Sequence, residues 1–173
     1  MTAGARAARI RLMGFDVDGV MTDGSLYFTP NGEEIKVFSS LDGHGLKMLQ
    51  SAGIEVAIIS GRRSRALELR AANLGITELH MGVEDKLGCL NDLLTRRQLS
   101  AVEAGYMGDD VVDLPILRAC GFSAAPADAH DFVKQHVDYL ARKAGGRGAV
   151  REVCDYLLGA QGKLDAMHAA YLA

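Results

Sequence analysis

Residues 13–23 read Met13-Gly14-Phe15-Asp16-Val17-Asp18-Gly19-Val20-Met21-Thr22-Asp23. Ile10, Leu12, Met13 and Phe15 form a short apolar run, and Gly19 and Gly24 punctuate the residues after it. That pattern is a buried strand opening into a loop. Asp16 and Asp18 therefore stand at the C-terminal end of a strand, the edge at which open α/β sheets bind ligands. Two acids this close cannot both ionise cheaply without a cation or a shared proton. The pair points to metal binding, to acid–base chemistry, or to both.

Outward from this strand, residues 25–29 and 34–39 are β-prone runs around Pro30-Asn31-Gly32-Glu33, which predicts a hairpin. A helix over 45–53 and a buried strand over 54–60 begin a β-α-β rhythm. It continues with helix 65–74, strand 76–81, helix 86–98, strand 102–107, helix 112–119 and strand 121–125. A short helix over 132–136, a strand over 137–141 and a helix over 149–158 complete it. The alternation predicts an α/β, Rossmann-like parallel sheet with helices on both faces and a β-hairpin inserted after the first strand. Residues 1–9 read as an N-terminal extension and 164–173 as a C-terminal tail.

The chain has 173 residues, 49% hydrophobic and 24% charged, which suits one well-buried domain. A net charge of -3 with dispersed lysines and arginines gives no basic footprint for nucleic acid, so a small ligand is expected. Cys89, Cys120 and Cys154 are an odd set without a CxxC pair, which argues against a disulfide framework and a zinc site. Residues 1–9 lead into no signal-like apolar region, and no stretch approaches membrane-spanning length. These features fit a reducing cytoplasm.

Three further strand ends carry chemistry. Ser60-Gly61-Arg62 offers a hydroxyl, an amide and a helix start, together an anion pocket. Lys86 supplies a point charge for the same anion. Gly108-Asp109-Asp110-Val111-Val112-Asp113 adds carboxylates of the kind Mg²⁺ prefers. Taken singly, these features also describe an Asx turn, an N-cap and a solvated lysine. Their order, each at a strand end on one edge, is what argues for a site.

The four segments together resemble the haloacid dehalogenase superfamily of phosphohydrolases. From about Arg11 to Leu164 the chain resembles the 3-deoxy-D-manno-octulosonate 8-phosphate phosphatase family, through Lys36-Val37-Phe38, Asp42-Gly43-His44-Gly45, residues 124–130 (AAPADAH) and residues 145–152 (GGRGAVRE). The resemblance implies that Asp16 attacks phosphorus and that Asp18 first protonates the leaving alkoxide, then deprotonates water. It implies Mg²⁺ bound by Asp16, the Asp18 main-chain carbonyl and Asp109, with Asp110 and Asp113 in support. Ser60, Gly61 and Lys86 would hold the phosphoryl oxygens, and Arg62, Arg70 and Arg147 would meet the anionic substrate. The implied product is free 3-deoxy-D-manno-octulosonate, for lipopolysaccharide synthesis.

Asp16 and Ser60 are 44 positions apart and Ser60 and Lys86 are 26 apart, too little for an inserted cap domain. A single capless domain must find selectivity elsewhere. Leu26, Phe28, Ile35, Val37 and Phe38 on the hairpin lack an evident partner within the chain. The resemblance implies a homotetramer in which hairpins assemble centrally and C-terminal segments approach neighbouring sites. Alternatives that stay open are a phosphatase for another sugar-acid phosphate such as an acylneuraminate 9-phosphate, a non-catalytic assembly domain, and a phosphotransferase or mutase.

Overall fold

The computed structural model describes residues 1–172. In chain order α1 (Ala3–Ala7) leads into β1 (Leu12–Phe15), and β2 (Tyr27–Phe28) and β3 (Glu34–Ile35) form the hairpin. Next come α2 (Ser40–Ser51), β4 (Glu55–Ser60), α3 (Arg65–Leu74), β5 (Glu78–Met81), α4 (Lys86–Arg97) and β6 (Ala104–Met107). The chain ends with α5 (Leu114–Ala119), β7 (Phe122–Ala125), α6 (Asp131–Lys134), β8 (Tyr139–Leu140), α7 (Ala149–Ala160) and α8 (Leu164–Ala169).

Six strands pair in the order β5-β4-β1-β6-β7-β8, every pair parallel, so β1 lies inside the sheet with all four of its residues buried. From β1 the chain builds outward through β4 and β5, then returns to the other side of β1 to lay down β6. The loops after β1 and β6 part at that reversal and leave a crevice between them. Side chains alternate across β1. Met13 and Phe15 join one core layer with Leu46 and Leu49 of α2, Leu67 of α3 and Val150, Val153 and Leu157 of α7. Leu12 joins the opposite layer with Leu90, Leu93 and Leu94 of α4 and Ile116 and Leu117 of α5. Covering both faces is what lets a strand as uniformly apolar as β1 sit centrally.

Several boundaries differ from those expected. The helix expected over 45–53 starts at Ser40, so Asp42, Gly43 and His44 lie inside it. Ser39 Oγ accepts from the Asp42 N–H at 3.3 Å and caps this end. The hairpin ladder is shorter than its β-prone runs and pairs only Tyr27 with Ile35 and Phe28 with Glu34. A 3-10 turn over 111–113 precedes α5, because the Asp110 carboxylate accepts from the Val111 N–H and holds the chain tight there. The N-terminal extension contains α1, and the C-terminal tail forms α8, with Leu164 and Met167 against the core. Residue 173 of that tail lies outside the described residues. Among the described residues no helix is long and apolar enough to cross a membrane. Cys120 and Cys154 are buried, Cys89 is partly so, and all three are free thiols.

Candidate active site

The loop after β1 is held by its own backbone. The Asp16 N–H donates to the Met107 carbonyl at 2.9 Å, extending the β1–β6 ladder by one bond. The N–H groups of Val20, Met21 and Thr22 all donate to the Val17 carbonyl, which winds the chain back on itself. Gly19 takes φ +89°, and a Cβ there would also strike the Asp109 carboxylate, so glycine is required twice over.

The crevice above β1, β4 and β6 is a cleft of about 480 Å³ lined by Asp16, Asp18, Ser60, Gly61, Arg62, Glu84, Lys86, Asp109 and Asp110, with Val83 and Val112 at its wall. A larger groove of about 790 Å³ runs beside α4, past His80, Asp85, Cys89 and Arg96. Its two acids, Asp85 and Asp92, join no group able to hold an ion among the described residues, whereas Asp16, Asp109 and Asp113 do, so the chemistry selects the smaller cleft.

Lys86 is the electrostatic centre of the cleft. Its side chain is 7% exposed, and its ammonium meets Asp16 Oδ2 at 2.9 Å and Asp113 Oδ1 at 2.6 Å. Burial alone would pull the Lys86 pKa down, but the two carboxylates outweigh it and the pKa rises. Asp113 is fully buried, and its other oxygen accepts from the Asp109 and Asp110 N–H groups at 3.0 and 3.3 Å. It anchors both the lysine and the loop after β6.

Burial first, then repulsion from Asp113, lifts the Asp16 pKa to about 6 despite Lys86. Asp109 is lifted to about 7, by burial and by the charges of Asp16 and Asp113. One lysine among so many acids leaves an excess of negative charge that a cation would relieve. Carboxylate oxygens of Asp16, Asp109 and Asp113 lie within 4.8 Å of one another, close enough to ligate one ion. Both Asp113 oxygens are already engaged, so Asp16 and Asp109 are the acids left to face a hard divalent ion. The donor set fits Mg²⁺.

The Asp18 carboxylate lies outside that group. It accepts from Lys36 of the hairpin, and its other oxygen sits 3.6 Å from Arg62 Nε. Arg62 also meets Glu34 at 2.8 Å, and that bond, against a smaller opposing effect of burial, raises its pKa. Sequence reasoning did not single out Lys36 or Glu34 as site residues. Their signal was the alternation of charged and apolar residues on the hairpin. Ser60 is buried at the end of β4, and its Oγ accepts from the Arg62 N–H at 3.3 Å.

Two predicted residues do not join the cleft within one chain. Arg70, on α3, donates to the Ser39 carbonyl at 3.0 Å and to Asn73, and lies over the Phe38 ring, tying α3 to the start of α2. Arg147 is largely exposed and pairs with Asp23 at 3.4 Å. The glycine-rich run that carries it is built into the fold. Gly145 accepts no side chain, because a Cβ would collide with the Gly19 carbonyl. The Gly146 N–H donates to the Val20 carbonyl at 2.9 Å. This run backs the Asp18 loop.

Acids after β1, a hydroxyl after β4, a lysine opening α4 and acids after β6 occur together on one parallel sheet, and that combination defines a phosphohydrolase of the haloacid dehalogenase class. No protein-family profile matches the chain. It is 50% identical over 161 residues, covering 93% of this chain and 86% of the relative, to the 3-deoxy-D-manno-octulosonate 8-phosphate phosphatase KdsC of Escherichia coli K12. A crystal structure of the 3-deoxy-D-manno-octulosonate 8-phosphate phosphatase of Yersinia pestis superposes with TM-score 0.93 at 48% identity, over 94% of this chain and 88% of that one. That of the Moraxella catarrhalis enzyme, in complex with magnesium, phosphate and KDO, superposes with TM-score 0.96 at 38% identity, over 98% and 97%. The chain belongs to the 3-deoxy-D-manno-octulosonate 8-phosphate phosphatase family.

Proposed function

We propose that this chain is a Mg²⁺-dependent phosphatase that hydrolyses 3-deoxy-D-manno-octulosonate 8-phosphate to 3-deoxy-D-manno-octulosonate and inorganic phosphate, in lipopolysaccharide biosynthesis. The observation that carries the reading is the convergence of Asp16, Asp18, Ser60, Lys86 and Asp109 on one cleft. Similarity to the named relatives supplies the substrate.

An Asp16 carboxylate oxygen attacks phosphorus as the bond to the sugar oxygen breaks, its electron pair leaving on that oxygen, which takes the proton of Asp18. An aspartyl-phosphate remains. Asp18, now a carboxylate, takes a proton from water as the water oxygen attacks phosphorus, and Asp16 departs as the free carboxylate. Ser60, the Gly61 N–H and Lys86 hold the phosphoryl oxygens, where charge shifts in both steps. Asp16, the Asp18 main-chain carbonyl and Asp109 would hold Mg²⁺, which would neutralise the charge that two anions bring together.

The chain works as a single capless unit within a homotetramer, in a cytoplasm where its thiols stay reduced. Support comes from the hairpin, whose Leu26, Tyr27, Phe28, Ile35 and Val37 are all exposed in one chain. Arg147 then belongs to sugar-acid recognition in the adjacent subunit. The relatives named above carry the octulosonate ester in their names rather than an acylneuraminate ester, and the complete set of acids argues against a purely structural role.

Asp16→Asn tests the reading directly. Phosphate release from 3-deoxy-D-manno-octulosonate 8-phosphate, restored to chelator-treated wild type by Mg²⁺, should vanish in the variant while its thermal unfolding stays cooperative. Substantial Mg²⁺-dependent turnover by Asp16→Asn removes Asp16 from the role of nucleophile.

A further inference from the structure

The hairpin is inside out. Along residues 34–37, Glu34 and Lys36 point inward, the Lys36 side chain only 3% exposed, while Ile35 and Val37 point to solvent at 51% and 58%. A half-buried strand ordinarily does the reverse. The inward charges have partners: Lys36 Nζ bonds Asp18 Oδ1 and lies 3.3 Å from Glu34 Oε1. Arg62 closes the circuit, 2.8 Å from the same Glu34 oxygen and 3.6 Å from Asp18 Oδ2. Asp18 and Glu34 are the carboxyl groups that answer the two cations, and Glu34 still faces Lys36 and Arg62 when Asp18 carries the proton it gives away, which is how a lysine this buried is tolerated.

We propose that Lys36 is a positioning residue for Asp18. It fixes one carboxylate oxygen to the hairpin and turns the other toward the cleft, where the departing ester oxygen collects its proton. Among the described residues, Asp18 has no side-chain partner except Lys36 and Arg62. Arg62 is half exposed and more distant, so Lys36 is the contact that selects the rotamer. Misplacing an acid by about 1 Å costs on the order of a hundredfold in rate, and a general acid contributes about 10²–10⁴ in all. The inference rests on the proposed function, in which Asp18 is that acid.

The test separates positioning from fold damage by its dependence on the leaving group. kcat/KM ends with departure of the alcohol, so it reports the step in which Asp18 gives up its proton. Wild type and Lys36→Met are compared over a series of substituted phenyl phosphates at saturating Mg²⁺. The variant should lose roughly 30- to 100-fold on the least acidic phenol and less than about threefold on p-nitrophenyl phosphate, so its dependence on leaving-group pKa steepens. Lys36→Arg, which keeps a cation within reach, should recover most of the shallow wild-type dependence. A slope does not change with the fraction of protein folded, and Lys36→Gln serves in the same assay if the Met variant yields no folded protein. An unchanged slope, whether rates fall uniformly or not at all, overturns the role of Lys36. Failure of wild type to release phosphate from 3-deoxy-D-manno-octulosonate 8-phosphate would instead overturn the phosphatase reading itself, and turnover by Asp16→Asn would overturn its nucleophile.

Discussion

Lys86 stands between Asp16 and Asp113, two buried acids that would otherwise repel each other across a poorly solvated gap. Lys86→Met should lower stability by about 3–5 kcal/mol, because it strips the counter-charge from both, and thermal unfolding of metal-free protein will read this loss. Burial, with repulsion between neighbouring acids, lifts the pKa of metal-free Asp16 from 3.8 to about 6 and that of Asp109 from 3.8 to about 7 on folding. The folded chain therefore holds extra protons within that window. Their contribution is full below the unfolded value and is lost as pH rises through the folded ones. Mg²⁺ competes with those protons, so its affinity, and the rise in Tm it induces, should grow between about pH 5 and pH 8. Calorimetric titration at both ends of the range checks this, and a pH-independent Kd would exclude the assignment of Asp16 and Asp109 to the ion. Asp16, Asp18, Ser60, Lys86 and Asp109 were legible in the sequence because each follows or opens an element whose apolar pattern fixes its place on one sheet edge. Lys36 was not, because a charge alternating with apolar residues in a hairpin normally marks a solvated face, and its partner is 18 positions away.

At the scale of elements, two connections hold the Asp18 loop from behind. Asp42, in the first turn of α2, accepts from the Gly148 and Arg151 N–H groups at 3.3 and 2.8 Å and thereby caps α7. Asp42→Ala should cost about 0.5–2 kcal/mol through the lost cap, measurable in urea unfolding. Gly145→Ala pushes a methyl at the Gly19 carbonyl. We expect kcat to fall along with Tm, whereas Arg147→Ala, which gives up one exposed ion pair, should cost less than about 1 kcal/mol. If Arg147 reaches a neighbouring site, its variant raises KM for the sugar phosphate and leaves p-nitrophenyl phosphate unaffected; equal effects on both esters would deny it that role. Sequence alone leaves residues 145–148 as either a flexible connection or a reach toward a neighbour, since glycines look alike whether they confer freedom or permit close approach. It also places Asp42-Gly43-His44 before the helix, because two glycines near a helix start weaken the periodic signal, while the Ser39 cap on the Asp42 N–H extends the helix to them. Helices α1 and α8 are hidden for the opposite reason: short alanine-rich segments form only where a core receives them.

Across the whole molecule, the parallel sheet was legible from the βαβ rhythm, while the association of chains is inferred from what one chain leaves uncovered. Phe28→Asp places a charge among the exposed apolar residues of the hairpin and, if the chain forms the proposed homotetramer, should shift it toward monomer in sedimentation, without loss of the α/β core. A monodisperse wild-type monomer would dismiss the assembly. The inverted hairpin would tie such an assembly to catalysis. β2 and β3 share only a two-residue ladder, too little to stay rigid unaided, yet Lys36 leans on Asp18 from this same ribbon. If neighbours grip its greasy outer side, they steady the lysine on its inner side. Specific activity should then obey mass action, falling as the enzyme is diluted through its dissociation range and returning when it is concentrated again.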